Sequence, residues 1–215
     1  DLRMEGARRI ASKLDAGEPE QGPMVAPGKY TLRLVAAGTT LEQPVEVRAD
    51  PRSTIAPEAL QANIAFGVAL RDAMDRALGY IDAVRAIREQ TVDLRRRTES
   101  NAAASQLRAT ADSVIARTTA IEAELHNPGA QVVYDILAGR EGGAKLYSQL
   151  SPLYSWAIQS DDAPTQGMRE RKAWLDGELA RIGAEIAALR AGEVARMEDE
   201  ATALALPRVI VPGAR

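Results

Sequence analysis

The chain has no cysteine, a single histidine and only eight aromatic residues among 215 (two Trp, five Tyr, one Phe). The missing cysteines exclude thiol nucleophiles, disulfides and thiolate-held metals. His126 alone cannot make a multi-histidine metal site or a histidine relay. No run of 18 apolar residues occurs, so no membrane-inserted span is expected. Charge of one sign is lacking too: 27 Lys and Arg stand against 30 Asp and Glu, a net charge of -3. That balance offers no basic footprint for a nucleic-acid backbone and no polybasic signal for an anionic membrane. What the chain does have is 40 alanines, with 16 glycines and 11 prolines as punctuation. It begins at Asp1 with no positively charged start leading into an apolar stretch. We therefore expect a processed chain or a piece of a longer one.

Composition changes at Asp50-Pro51-Arg52. Before it, Tyr30, Leu32 and Leu34 alternate with Thr31, Arg33 and Val35, the period of a strand with one buried face. Ala36 to Thr39 turns the chain, Leu41 to Val47 returns it, and Pro44 marks an edge or a bulge. Residues 1–26 add at most one strand, around Asp1-Leu2-Arg3. A lone hairpin is marginal, so 1–50 reads as part of a small, incomplete sandwich that borrows strands from upstream or leans on the helices. After Pro51 the apolar period becomes 3.6. Helices are expected over Pro57 to about Arg97, Ala102 to Leu125, Ala144 to Gln159, and Thr165 to Leu189 with fraying towards Ala205. Ser100-Asn101 is the expected break and cap, and His126-Asn127-Pro128-Gly129 a stop with a left-handed turn. Pro152 either kinks the third helix or sits in its first turn. The fold class is thus mainly α, a β-sandwich-like hairpin followed by an Ala-rich antiparallel bundle over 51–205, with 206–215 an extended tail. Alanine suits that architecture because it lets helix backbones approach closely at little entropic cost.

Three stretches carry a family likeness: Asp1-Leu2-Arg3 with Gly22-Pro23 and Ala26-Pro27-Gly28-Lys29-Tyr30-Thr31-Leu32-Arg33-Leu34; Gln43-Pro44-Val45 through Asp50-Pro51-Arg52, then Leu70-Arg71-Asp72; and Leu146-Tyr147 with Ser160-Asp161-Asp162-Ala163-Pro164-Thr165. In these the chain resembles the C-terminal region of bacterial sortilin-like or BNR-repeat proteins, which carry a glycosyl-hydrolase label. There one or two β-propellers precede a small β-domain and a helical tail. It departs from the pattern at Met168, where the family places Gln as a capping-box partner of the Thr. The resemblance implies a periplasmic or secreted location and an upstream propeller that owns whatever hydrolase chemistry exists.

Within the chain itself no catalytic, cofactor or metal residue stands out. Asp161 and Asp162, just ahead of a helix, read as caps for exposed N–H groups, with Thr165 beside them; Asp50, Pro51 and Arg52 read as a stiff junction. Glu198-Asp199-Glu200 and Arg95-Arg96-Arg97, like Arg169 and Arg171, read as solvated, salt-bridged surface. His126 at a helix end reads as structural or exposed, interacting with the last carbonyls. Gly139 to Gly143 lacks a P-loop ending and reads as a linker. Tyr147, Tyr154, Trp156 and Trp174 are core or seam residues, or, where exposed, an interaction surface. The expected function is a non-catalytic structural and interaction module docking on an upstream propeller of the same protein or on a separate protein, with oligomerisation open. The alternatives are an accessory part of a glycosidase-like hydrolase and a free-standing helical adaptor that offers its alanine face to a partner helix.

Overall fold

The structure is a computed structural model that describes residues 1–10 and 17–206. It is mainly helical, with one antiparallel hairpin, β1 (Gly28–Ala36) and β2 (Thr39–Val47), ahead of the helices. These are α1 (Pro57–Arg97), α2 (Ser105–Leu125), α3 (Val133–Leu137), α4 (Leu146–Ile158), α5 (Gln166–Leu189) and α6 (Ala195–Ala203). A π turn, Arg190–Val194, joins α5 to α6. Of the expected tail only Leu206 lies among the described residues.

The helix ends follow local chemistry. Pro57 occupies the first turn of α1, where its missing N–H costs nothing. Asn101 accepts a bond from the Ala103 N–H and starts the turn into α2. Thr165 accepts from the Met168 N–H at 3.3 Å and caps α5. Pro152 lies inside α4. After α2 no left-handed glycine appears at Gly129. The turn closes on the buried Asn127 instead, whose Oδ1 accepts from the N–H of Gly129 and Ala130 while its Nδ2 donates to the carbonyls of Arg140 and Gly143.

Charge pairs give the helix directions. Arg85 with Glu122 and Arg95 with Asp112 run in opposite senses along α1 and α2, so these two are antiparallel. Arg181 with Glu124 and Arg117 with Glu185 make α5 antiparallel to α2, and Thr110 with Glu200 extends that pairing into α6. Arg76 with Asp176 and Tyr80 against Gly183 run in the same sense, so α5 is parallel to α1. The core between them is one cluster that includes Leu70, Met74, Ile81, Ile87, Leu94, Leu107, Ile121, Leu125, Leu179 and Ile182.

Two features of residues 1–50 are set by packing. The N-terminal segment, 1–10 and 17–25, leans on the helices, one of the two arrangements expected. Its two halves run alongside each other, with Met4 N–H to Pro23 O and Ala7 N–H to Pro19 O both at 2.8 Å, and Arg3 bridging Met24. The approach is so close that a Cβ on Gly22 would lie 1.7 Å from the Met4 carbonyl oxygen. Ala7 and Ile10 enter the core, and the Tyr147 and Tyr154 hydroxyls of α4 donate to the carbonyls of Arg8 (2.8 Å) and Gln21 (2.6 Å). Secondly, the hairpin has no buried face: Leu32, Leu34 and Leu41 are each about 60% exposed.

Its register runs from Gly28↔Val47 to Ala36↔Thr39 around Ala37-Gly38, both at positive φ, the signature of a type I′ turn that matches strand twist. A two-residue turn makes Ala36↔Thr39 a hydrogen-bonded pair, and strict alternation then makes Thr31↔Pro44 a non-hydrogen-bonded one. Pro44 therefore sits where its absent N–H faces away from β1, and the ladder loses nothing.

Tyr154→Phe keeps the packing and removes only the bond to Gln21. We expect a loss of about 1 kcal/mol in urea unfolding, together with faster amide exchange over residues 17–25; unchanged exchange there would show that the tyrosine does not anchor this segment.

Candidate functional site

Alternation in the hairpin sorts its side chains cleanly. Tyr30, Leu32 and Leu34 share one face with Leu41, Gln43, Val45 and Val47, while Lys29, Thr31, Arg33 and Val35 share the other with Thr40, Glu42, Pro44 and Glu46. On the polar face Arg33 meets Glu42 at 2.7 Å, and Glu46 is engaged by Arg48. On the apolar face only Val45 and Val47, nearest the strand end that leads to the helices, are half-buried. A sheet face that is apolar at six of its seven larger positions and bare is the most conspicuous exposed surface among the described residues.

The residues singled out from sequence divide by helical geometry. Tyr147 and Tyr154, seven apart on α4, share its inner face and are fully buried, so they leave the expected interaction surface and serve as anchors for the N-terminal segment. Burial raises the Tyr154 hydroxyl pKa to about 12, against the opposing pull of Arg71 and Arg3. Trp156, two residues on and so across the helix, is 65% exposed. Trp174 on α5 is half exposed, with the Arg171 guanidinium 4.5 Å from its ring centre. At the junction, Asp50 is held below the usual carboxylate range by side-chain and backbone bonds from Arg52, and Pro51 lies in the turn between them. Asp161 and Asp162 do not cap α5; Asp162 accepts from the Ala163 N–H within the loop, and Thr165 alone takes the cap. The Arg95-Arg96-Arg97 run is salt-bridged, Arg95 to Asp112 and both Arg96 and Arg97 to Asp93.

A groove of about 1120 Å³ lies between α1 and α5, floored by Gly79, Ala83, Gly183 and Ala187. Tyr80 crosses it so closely that a Cβ on Gly183 would meet the phenol oxygen at 2.5 Å. Of its acidic residues, Asp75 and Asp82 both face Arg8, at 3.8 and 3.5 Å.

One charged cluster escaped the sequence reading. Glu122 on α2 and His126 just beyond it are buried, with His126 Nε2 2.8 Å from Glu122 Oε1. Arg85 Nε and Arg88 Nη2 of α1 reach the same carboxylate at 2.7 and 2.5 Å. The i, i+4 spacing of Glu122 and His126 was legible; two arginines one turn apart on another helix were not. Burial raises the Glu122 pKa, but bonds from His126, Arg85 and Arg88 outweigh it and bring the group to about 2. His126 is structural: its ring meets this carboxylate, and its backbone N–H donates to the Glu122 carbonyl at 3.1 Å as the helix ends.

Among the described residues no group of three or more His, Asp or Glu is arranged to hold a metal, and no helix is long and apolar enough to cross a membrane. No family model, no curated protein and no solved structure matches the chain.

Because Glu122 is depressed in the folded state, the native protein binds fewer protons than the unfolded chain between about pH 4.5 and pH 2. Its contribution is complete above that window and lost on acidification through it, worth about 3 kcal/mol over the whole range. Glu122→Gln should flatten this part of the stability–pH curve while lowering stability at pH 7 by about 3 kcal/mol. An unaltered acid limb in urea unfolding would show that other carboxylates govern it.

Proposed function

We propose that the chain is a non-catalytic structural and interaction module of an exported β-propeller protein, periplasmic or secreted, whose hairpin docks its apolar face on β-structure outside these residues. The observation that supports this reading is the bare face of Tyr30, Leu32, Leu34 and Leu41 on a two-stranded sheet. Such a sheet gains little by itself in water, and each of these side chains would contribute about 1.5–3 kcal/mol on full burial. The helices make a steady mount for it. Their core is closed on itself, and the N-terminal segment that leads into β1 is fastened to α4 by two tyrosine hydroxyls. Asp50 and Arg52 hold the exit from β2 before α1 begins.

The first test is the intact mass of every polypeptide in material from the native source, under native and then denaturing conditions. A chain much larger than 23.1 kDa that contains these residues is expected. A species of that mass alone would overturn the module reading and leave the free-standing adaptor. In the isolated 215-residue chain, Leu34→Lys with Leu41→Lys should change folding stability by less than about 0.5 kcal/mol and abolish binding of a hydrophobic dye. A loss of several kcal/mol would mean that the hairpin is packed on its own helices and is not a docking face.

A further inference from the structure

The two edges of the hairpin are not equivalent. In an antiparallel pair the residues of non-hydrogen-bonded pairs point both N–H and C=O away from the partner strand. On β1 these are Lys29, Thr31, Arg33 and Val35; on β2 they are Thr40, Glu42, Pro44 and Glu46. The β2 edge is therefore interrupted at its centre, where Pro44 has no donor and its ring occupies the place of an incoming carbonyl. The β1 edge offers an uninterrupted row of donors and acceptors, and among the described residues none of these eight outward N–H and C=O groups has a backbone partner. Charge divides the same way. The outward-pointing residues of β1 include Lys29 and Arg33, whereas those of β2 include Glu42 and Glu46. Arg33 already meets Glu42, while Lys29 has no carboxylate partner among the described residues and the Glu46 opposite it is engaged by Arg48.

We propose that docking proceeds by addition of a foreign β-strand to the outer edge of β1, and that this strand alternates apolar residues with acidic ones. It rests on the docking reading above and names the partner. An incoming strand pairs directly opposite Lys29, Thr31, Arg33 and Val35, so its residues there lie on the polar face, where carboxylates meet Lys29 and Arg33. Its intervening residues fall on the other face and continue the apolar surface of Tyr30, Leu32 and Leu34 sideways. Main-chain bonds supply affinity, and the alternating charge sets register and selects against basic strands. Pro44 limits growth of the sheet to one side, which guards the exposed hairpin against open-ended aggregation.

The test uses the 215-residue chain and two labelled nine-residue peptides, one of alternating valine and glutamate, the other of alternating valine and lysine. Fluorescence anisotropy reports binding, and amide exchange by NMR reports where. The glutamate peptide should bind at least about tenfold more tightly than the lysine peptide and should protect the amides of Thr31, Arg33 and Val35. Thr31→Pro removes an outward N–H and no ladder bond, the mirror of Pro44, and should weaken binding about tenfold or more. Pro44→Thr should leave this binding unchanged. Protection centred on Thr40 and Glu42 overturns the choice of edge. Equal affinity for both peptides overturns the acidic partner, and no binding of either overturns strand addition. A dimer of the chain alone that Thr31→Pro breaks assigns the edge to a second copy and overturns the foreign strand. The two readings fail separately: if the Leu34→Lys, Leu41→Lys chain loses association with the rest of its protein while Thr31→Pro does not, strand addition is overturned and docking by the apolar face stands; if neither variant loses it, the docking reading is overturned as well.

Discussion

Every large packed element of this molecule except α6 rests on one helix, the 41-residue α1, and that helix cannot be stable unless it is covered along its whole length. Its buried positions run from Asn63 to Leu94. α4 covers its beginning, where Asn63 donates to the carbonyls of Ala157 and Ser160 and closes the end of the shorter helix. α2 covers its far half, and α5 lies beside its middle and leaves the groove crossed by Tyr80. The alternative for so long an amphipathic helix, a strict coiled coil, is unavailable to a stripe that drifts off the heptad.

The registry of α1 against α2 depends on polar atoms as well as on apolar contacts. A buried carboxylate is costly unless its lone pairs are filled, and Glu122 is filled by two guanidiniums from α1 and the imidazole of the residue that ends its own helix. Sliding the helices by one turn would carry at least one guanidinium away from that carboxylate. Alanine-rich surfaces slide easily because one small residue resembles the next, so a charged pin of this kind supplies the specificity that the apolar stripe lacks.

The hairpin obeys the opposite logic. Its ladder is complete, its turn is well formed and its polar face is salt-bridged, yet its apolar face stays in water. The bundle has already buried its own apolar stripes, and Tyr147 and Tyr154 are occupied with the N-terminal segment. The exposed Trp156 and Trp174 lie on the outer faces of helices whose inner faces are taken.

The positions of α1, α2, α4 and α5 were legible in the letters, since a 3.6 period, Pro57, Asn101 and Thr165 act within a few residues of chain; the short α3 was not, and α6 was expected only as a fraying end. So were the hairpin and the edge position of Pro44, because strand alternation and turn chemistry are local as well. Which aromatic of α4 is inside was not legible, for Tyr154 and Trp156 are both large, half-polar and two residues apart, and only the direction from which α1 and the N-terminal segment approach α4 separates them. The same holds for that segment itself: it has no period, and its place is decided by carbonyls that meet hydroxyls more than a hundred positions away. The sequence by itself determined the elements, through contacts that a single helix or turn makes with itself. Only the tertiary structure decided that Glu122, His126, Arg85 and Arg88 form one buried cluster and that the sheet is left with a bare face, because both depend on which surfaces the other elements have already covered.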